Sequence, residues 1–219
     1  LESSRRALDD VAQFLTRQGC DVVLDQETAS HTGLNQYPVL EMAEIGAQCD
    51  LGLVIGGDGT MLRSVHALNG RTVPLIGVNL GQLGYLAVVE DDEVIEALEV
   101  WHNGTEGSEY HYDDRMLLEV SMWANGARLS NHLAMNEVVI EKSEAGHTVR
   151  LGVDIDKAMF TTYAADGLIL ATPTGSTAYS MSARGPILSP RLRAILMTPV
   201  SPHMLFDRSM VLDPQELVR

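Results

Sequence analysis

Apolar and polar residues in the first half of the chain follow two periods. From residue 6 to residue 18, apolar side chains recur every three or four positions, which predicts an amphipathic helix that ends at Gly19. The same reasoning predicts helices at 39–48, 60–69 and 92–101, and buried strands at 21–24, 50–55 and 73–78. Strands that alternate with helices are typical of a parallel sheet with helices on both faces, in which ligands bind beyond the carboxyl ends of the strands.

The pattern changes near residue 104, where short strand-like runs replace the helices. Two of these runs, 116–124 and 128–140, flank Asn125-Gly126, which is a strong signal for a β-hairpin. Further strands are predicted at 149–155, 160–163 and 167–171. We therefore predict an α/β + β fold, with a Rossmann-like α/β domain at residues 1–103 and a mainly β, sandwich-like domain at 104–219.

Composition narrows the classes of function. The chain carries 30 acidic and 15 basic side chains, and its net charge of −15 opposes binding to nucleic acid or to an anionic membrane surface. No apolar run approaches the roughly 20 residues that span a bilayer. Cys20 and Cys49 lack the spacing of a metal site, so we expect reduced thiols in a cytoplasmic protein.

The run Gly56-Gly57-Asp58-Gly59-Thr60 joins a predicted strand to a predicted helix. Such a turn brings backbone N–H groups to a phosphate chain and holds one carboxylate beside it, which suits phosphoryl transfer. A simple helix cap would explain Asp58 or Thr60 alone. Three glycines within four positions favour a phosphate-facing turn, so these residues are predicted to bind the phosphate donor.

A second run, residues 172–182, is rich in hydroxyl groups. Pro173 and Gly175 predict a turn, after which Ser176 or Thr177 would cap a helix that extends to about Ala183. A helix N-terminus surrounded by hydroxyls suits an anionic or sugar ligand, whereas an ordinary capped turn needs only about two of them. The run lies within 40 residues, 167–206, that contain no Asp or Glu, which fits either burial or a polyanionic ligand.

Two shorter motifs carry weaker signals. Asn136-Glu137 lies inside a predicted strand, where neighbours point to opposite faces, so one of the pair is expected to face inward. An amide and a carboxylate suit the hydroxyls of a ribose. Taken alone, a solvated strand edge is the simpler interpretation of this pair, and an ordinary turn is the simpler interpretation of Asp166-Gly167.

Read together, these runs resemble the NAD kinase family in order and spacing, as does the run 81–86 (Gly-Gln-Leu-Gly-Tyr-Leu). The resemblance covers roughly three quarters of the chain, from about Leu51 onward. It implies transfer of a phosphoryl group from ATP, or from inorganic polyphosphate in some members, to the adenosine-ribose 2′-hydroxyl of NAD, giving NADP. Mg²⁺ or another divalent cation is implied on the phosphates of the donor rather than in a protein metal site.

The resemblance also implies roles for particular residues. Asp58 would be the catalytic residue with Gly59 beside it, and Asn136 and Glu137 would hold ribose or adenine groups. Tyr85 would stack on a ring of the dinucleotide. The remaining NAD-binding residues are implied at His147, near the diphosphate, and at Asp166, Thr177, Ala178, Tyr179, Ser180, Met181 and Ser182.

Some features depart from the family pattern or leave other functions open. Ala164 stands where a basic residue is common, and Arg184 stands where a glycine is common. The family continues with further β segments, so we expect the second domain to be incomplete at its C-terminal end, and family members are commonly homodimers or homotetramers. The alternatives are a lipid kinase of the diacylglycerol or sphingosine type, which the negative charge disfavours, and a nucleotide-binding module without catalysis.

Overall fold

The computed structural model describes residues 2–79, 84–144 and 147–219. The run 81–86 therefore lies partly outside the described residues, because only its last three residues are among them. The chain divides into two compact units, Leu1–Tyr112 and Asp113–Arg219, which are described one at a time. In the part of the chain that is described, no helix combines the length and the apolar character needed to cross a membrane.

The first unit alternates helices with short parallel strands. The strands Gly52–Ile55, Leu75–Asn79 and Val89–Glu90 form a parallel sheet in that order. The strands Leu24–Asp25 and Val39–Leu40 pair in a separate parallel ladder. The elements are α1 (Glu2–Arg17), β1 (Leu24–Asp25), α2 (Gln26–Thr32), β2 (Val39–Leu40), α3 (Met42–Gln48), β3 (Gly52–Ile55), α4 (Asp58–Leu68), β4 (Leu75–Asn79), β5 (Val89–Glu90) and α5 (Val94–Asn103). The predicted helices and strands are confirmed with two exceptions. The run at 39–48 begins with β2 instead of a helix, and of the strand predicted at 21–24 only Leu24 lies in a strand, the two-residue β1.

Both faces of the β3-β4-β5 sheet are covered. On one face Val78 of β4 packs with Val11 and Phe14 of α1 and with Leu98 of α5. On the other face, a Cβ on Gly77 would come within 2.9 Å of the Met61 Cε of α4. Neighbouring residues of β4 thus face different helices, which confirms the predicted arrangement of helices on both sides of a parallel sheet.

The second unit is mainly antiparallel β-structure, as predicted. Its elements are β6 (Leu118–Ala124), β7 (Ala127–Ala134), β8 (Glu137–Glu141), β9 (Val149–Ile155), β10 (Ala158–Ala165), β11 (Gly167–Ala171), a 3₁₀ helix (Thr174–Thr177), α6 (Tyr179–Ser182), β12 (Ile195–Val200) and β13 (Met210–Leu212). Strands β6 and β7 form the hairpin at Asn125-Gly126, and β9 pairs with β10. The remaining strands form one sheet in the order β13-β12-β11-β8.

The central strand β11 is buried on both faces. Leu168 packs with Val153 of β9 and Met197 of β12, whereas Ile169 packs with Leu196 in a second apolar cluster on the other face. An uninterrupted apolar sequence is the expected pattern for a strand with no solvent-exposed side. Strand β11 therefore gives a rigid base to the hydroxyl-rich run that follows it.

Two predictions about local structure in this unit are wrong. The strand predicted at 128–140 is two strands, β7 and β8, and Asn136 lies in the bend between them instead of inside a strand. The helix predicted to begin at Ser176 or Thr177 is a 3₁₀ helix followed by the single turn α6. Neither hydroxyl caps α6, because Ser176 donates to the Pro173 carbonyl and Thr177 donates to the Thr174 carbonyl.

Arg184 adopts a left-handed backbone conformation, with φ of +66°, and this carries a stability prediction. A Cβ in this region clashes with the backbone, so we expect Arg184→Gly to raise the free energy of unfolding by about 1 kcal/mol. The matched control is Ala183→Gly, where φ is −83° and a glycine is expected to lower the same free energy. Urea unfolding followed by circular dichroism measures both, and equal effects of the two glycines would contradict the prediction.

Candidate functional site

The turn between β3 and α4 leaves a helix N-terminus open. Gly57 is the N-cap of α4 and provides no capping side chain, and both Gly57 and Gly59 are exposed. The Gly56 N–H donates to the Val78 carbonyl at 2.8 Å, which ties the turn to β4. A Cβ on Gly56 would come within 2.6 Å of the Thr60 hydroxyl. The turn is therefore closed to a side chain at Gly56, and it is open at Gly57 and Gly59, where an anion could approach the positive end of the helix dipole.

Asp58 is the first residue of α4, but its carboxylate does not cap the helix. Oδ2 accepts a hydrogen bond from the Tyr85 N–H at 2.9 Å, and Oδ1 accepts from the N–H groups of Leu86, at 2.9 Å, and Ala87, at 3.4 Å. The interpretation of Asp58 as a simple cap is thus wrong. No local sequence pattern indicates these contacts, because the donors lie 27 to 29 residues away along the chain.

In the second unit, the hydroxyl-rich run is bound tightly to the bend before β8. The Thr172 N–H donates to the Asn136 carbonyl at 2.8 Å, and the Thr172 hydroxyl donates to the Met135 carbonyl at 2.5 Å. The same hydroxyl accepts from the Gly175 N–H at 3.0 Å. Thr172 is fully buried, so these bonds are shielded from water. Two motifs that lie far apart in the sequence therefore form one connected structure.

Glu137 holds a carboxylate that is only partly satisfied. One side accepts a hydrogen bond from the Tyr179 backbone N–H, whereas Oε2 is buried and has no partner among the described residues. Burial raises the pKa of Glu137 above its usual range, and the backbone hydrogen bond opposes that rise. The hydroxyl oxygen of Thr174 is also buried and has no hydrogen-bond partner among the described residues. Orphaned polar groups of this kind are costly, and a bound polar ligand would satisfy them.

The other NAD-binding residues predicted in this run are placed differently from one another. Tyr179 and Met181 are exposed to about 40%, whereas Ser180 is fully buried and its hydroxyl lies 3.0 Å from the hydroxyl of Thr198. Thr177 and Ala178 are partly exposed, and Ser182 is exposed. The hydroxyl of Ser180 thus stabilises the run from within the core, and the role of the exposed members in binding NAD stays a prediction.

Lys142 is a residue that the sequence reasoning missed. The ammonium group of Lys142 lies 2.6 Å from the Asp166 carboxylate, and the backbone N–H of Lys142 donates to the backbone carbonyl of Asp166 at 3.0 Å. The contact follows from the antiparallel register of β8 and β11, in which Glu141 pairs with Gly167. Ala164 stands where a basic residue is common in the family, and it carries no charge. In this chain Lys142 provides a positive charge beside Asp166. His147 is exposed, and its predicted role near the diphosphate stays a prediction.

Both halves of the chain match known protein families. Family models described as the ATP-NAD kinase N-terminal and C-terminal domains match residues 2–105 and 135–219. An NAD kinase from Polaromonas sp. strain JS666 is 42% identical over 211 residues, which cover 96% of this chain and 71% of that protein. This chain belongs to the NAD kinase family.

Other relatives agree with the assignment to the NAD kinase family. An NAD kinase from Delftia acidovorans is 43% identical over 211 residues, which cover 96% of this chain and 70% of that protein. The crystal structure of yeast NADH kinase complexed with NADH superimposes with a TM-score of 0.84 and 28% identity, over 98% of this chain and 67% of that one. The predicted family and fold are confirmed, and nothing in these comparisons favours the lipid kinase alternative.

Proposed function

We propose that this chain is an NAD kinase that transfers a phosphoryl group from ATP to the adenosine-ribose 2′-hydroxyl of NAD, giving NADP. The observation that carries the proposal is the β3–α4 turn, where an unhindered helix N-terminus lies beside the Asp58 carboxylate. The family models name ATP and NAD for both halves of the fold. Phosphoryl transfer depends mainly on positioning and charge stabilisation, which such a turn provides.

In this mechanism the exposed N–H groups of Gly57 and Gly59 face the phosphates of the donor, with Gly56 and Thr60 shaping the turn. The Asp58 carboxylate accepts a hydrogen bond from the 2′-hydroxyl and orients its oxygen toward the γ-phosphorus. In a loose transition state the hydroxyl proton leaves late, so Asp58 acts by orientation first and as a proton acceptor afterwards.

The second unit supplies the proposed NAD-binding groups. The unpartnered Glu137 Oε2 is suited to accept hydrogen bonds from ribose hydroxyls, and the unpartnered Thr174 hydroxyl offers another polar contact that was not predicted. Asn136 and Asp166 complete the polar set, with Lys142 holding the charge of Asp166. The run from Thr177 to Ser182 is proposed to line the dinucleotide through its exposed and partly exposed members, with the buried Ser180 supporting the run from the core. The proposed functional domains are the two that the sequence predicts, residues 1–103 and 104–219, whereas the compact units of the structure divide after Tyr112.

A divalent cation is proposed to arrive on the phosphates of ATP. No group of three or more His, Cys, Asp or Glu side chains suited to a metal ion occurs among residues 2–79, 84–144 and 147–219. Mg²⁺ is commonly held by one or two carboxylates together with substrate phosphates, so this chain fits an ion delivered with the nucleotide. Bound there, the cation would neutralise charge on the leaving group. Activity in a homodimer or homotetramer and a cytoplasmic location stay parts of the proposal.

The activity is tested by incubating the purified chain with NAD, ATP and MgCl₂ and measuring NADP with an NADP-specific dehydrogenase. NADP formation supports the proposal, and parallel reactions with polyphosphate or NADH define the donor and the acceptor. Radiolabelled ATP with diacylglycerol or sphingosine tests the lipid kinase alternative. NAD binding without any NADP would indicate a nucleotide-binding module without catalysis.

Glu137→Gln is expected to weaken NAD binding while stabilising the fold at neutral pH. Because the folded-state pKa of Glu137 is raised, ionisation costs stability above that pKa, and the cost disappears below the ordinary pKa of a glutamate. Gln removes the charge and still accepts the Tyr179 N–H. The loss of a charged acceptor for ribose hydroxyls predicts a tenfold to hundredfold rise in the Kd of NAD, at about 1.4 kcal/mol per tenfold.

Calorimetric titration with NAD and urea unfolding at two pH values test this expectation. The stability gain should be present at pH 7.5 and shrink as the pH falls toward 4. Glu141→Gln, at the exposed end of the same strand, is the matched control and should change neither quantity. Equal NAD affinity in the Glu137 variant and the wild type would contradict the assignment.

A further inference from the structure

The segment Gly84–Ala87 lies against the Asp58 carboxylate. Three successive backbone N–H groups, from Tyr85 to Ala87, donate to the two carboxylate oxygens. A Cβ on Gly84 would overlap Oδ1 and would come within 2.6 Å of Cγ of the same side chain. The carboxylate therefore occupies the space that a side chain at residue 84 would need. Hydrogen bonds to an ionised acceptor are about twice as strong as neutral ones, so this contact is a strong local constraint.

The other end of the segment is fixed by the sheet. Ala87 is fully buried, and its Cα would lie 2.9 Å from a Cβ placed on Gly77 of β4. Between these two fixed ends, the side chain of Tyr85 is 65% exposed, although its N–H is one of the groups that Asp58 holds. An aromatic side chain that is exposed on a constrained backbone is arranged to contact a partner rather than to stabilise the core.

We infer that Asp58 is also a positioning residue, whose carboxylate presets the segment Gly84–Ala87 and so holds Tyr85 ready for a planar ring of the dinucleotide. The part that concerns the ring rests on the proposed function, whereas the preset segment does not. A carboxylate has about four lone-pair sites. Among the described residues, Oδ1 receives two donors and Oδ2 receives one, which leaves more lone-pair capacity on Oδ2 for the acceptor hydroxyl. One side chain thus connects the reacting group to the aromatic contact.

Gly84→Ala tests the inference because it disturbs the contact while residue 58 remains an aspartate. Hydrogen exchange of the Tyr85 and Leu86 amides, measured by NMR, should accelerate about tenfold to hundredfold, with the β4 amides unchanged. The KM for NAD should rise about tenfold, and the KM for ATP should stay within twofold. Val88→Ala, at an exposed neighbouring side chain, is the control and should change none of these quantities.

Tyr85→Ala separates the two parts of the inference. It should raise the KM for NAD as Gly84→Ala does, without accelerating exchange, and the double variant should be no worse than either single variant. Unchanged exchange in Gly84→Ala overturns the positioning role. Accelerated exchange with an unchanged KM for NAD overturns the role of Tyr85.

The outcomes remain separable from a failure of the proposed function. If the wild type forms no NADP, the exchange experiment still decides whether Asp58 presets the segment, and the Kd of NAD replaces its KM. If Gly84→Ala does not fold, as judged by circular dichroism, Asp58→Asn provides the same exchange measurement. In that variant an amide NH₂ replaces one of the acceptors, so faster exchange at Tyr85 or Leu86 supports the inference and unchanged exchange overturns it.

Discussion

Asp58→Asn is expected to lower the turnover number for NADP formation by about 10³-fold. Asparagine has one acceptor oxygen where aspartate has two, so at least one of the N–H groups of Tyr85 and Leu86 loses its partner. The same change removes the negative charge that orients the 2′-hydroxyl and later accepts its proton. The first loss disturbs the segment that carries Tyr85, and the second acts on the 2′-hydroxyl, first in its orientation and then in the transfer of its proton.

Steady-state kinetics with a coupled NADP-specific dehydrogenase, together with calorimetric binding of NAD, separate these two losses. The Kd of NAD should rise by no more than about tenfold, since it reflects the disturbed segment around Tyr85 and one hydrogen bond to the 2′-hydroxyl, and not the loss of the proton acceptor. Asp50→Asn, at an exposed residue just before β3, is the control and should retain full turnover. A variant at Asp58 that keeps more than a tenth of wild-type turnover would contradict the catalytic role. A loss of NAD affinity as large as the loss of turnover would contradict it as well.

Much of the first unit could be predicted because its apolar residues are periodic. Helix α1 and strands β3 and β4 all contribute side chains to one apolar cluster. Burial of one side gives α1 its helical period, and burial of both faces gives β3 and β4 their short apolar runs. Helix α2 was missed because it buries no residue. It is held by its ends: the Asp25 side chain accepts from the Thr28 N–H, and Gly33 closes the helix with φ of +67°.

The candidate site could be predicted only where its residues are contiguous. The turn at Gly56–Thr60 and the run 172–182 stand out as sequence, but the partners of Asp58 and Asp166 do not. Lys142 reaches Asp166 through the pairing of β8 with β11, and strand register between distant segments is not written in a local pattern. The bend at Asn136 was missed for the same reason, since it depends on a hydrogen bond from Thr172.

The absence of Asp and Glu from residues 167–206 has two explanations, which apply to different parts of this stretch. From residue 167 to residue 176 nearly every residue is buried, because β11 has no exposed face and the following 3₁₀ helix packs beneath it. A charge there would have to be desolvated, so burial alone accounts for the missing acids. Residues 184–193 are mostly exposed and include Arg184, Arg191 and Arg193. In that part, a surface suited to an anionic ligand remains a prediction.

Gly175→Ala is expected to lower the free energy of unfolding by about 3 kcal/mol and to abolish most NADP formation. A Cβ on Gly175 would overlap the carbonyl group of Asn136 and would lie 2.7 Å from its Cα. Backbone atoms cannot rotate away as a side chain can, so the bend before β8 or the 3₁₀ helix has to move. Either movement strains the hydrogen bonds that the fully buried Thr172 makes to Met135 and to Gly175. Asn136 and Glu137 would shift with the bend.

Urea unfolding followed by circular dichroism measures the stability, and the Kd of NAD measures the displacement of Asn136 and Glu137. Gly152→Ala is the matched control in the same unit, since it lies in β9 with open space around its Cβ position. That change is expected to raise the free energy of unfolding by up to about 1 kcal/mol, because alanine restricts the unfolded chain. If Gly175→Ala were as stable as Gly152→Ala, the close approach of Gly175 to Asn136 could not be what holds the hydroxyl-rich run in place.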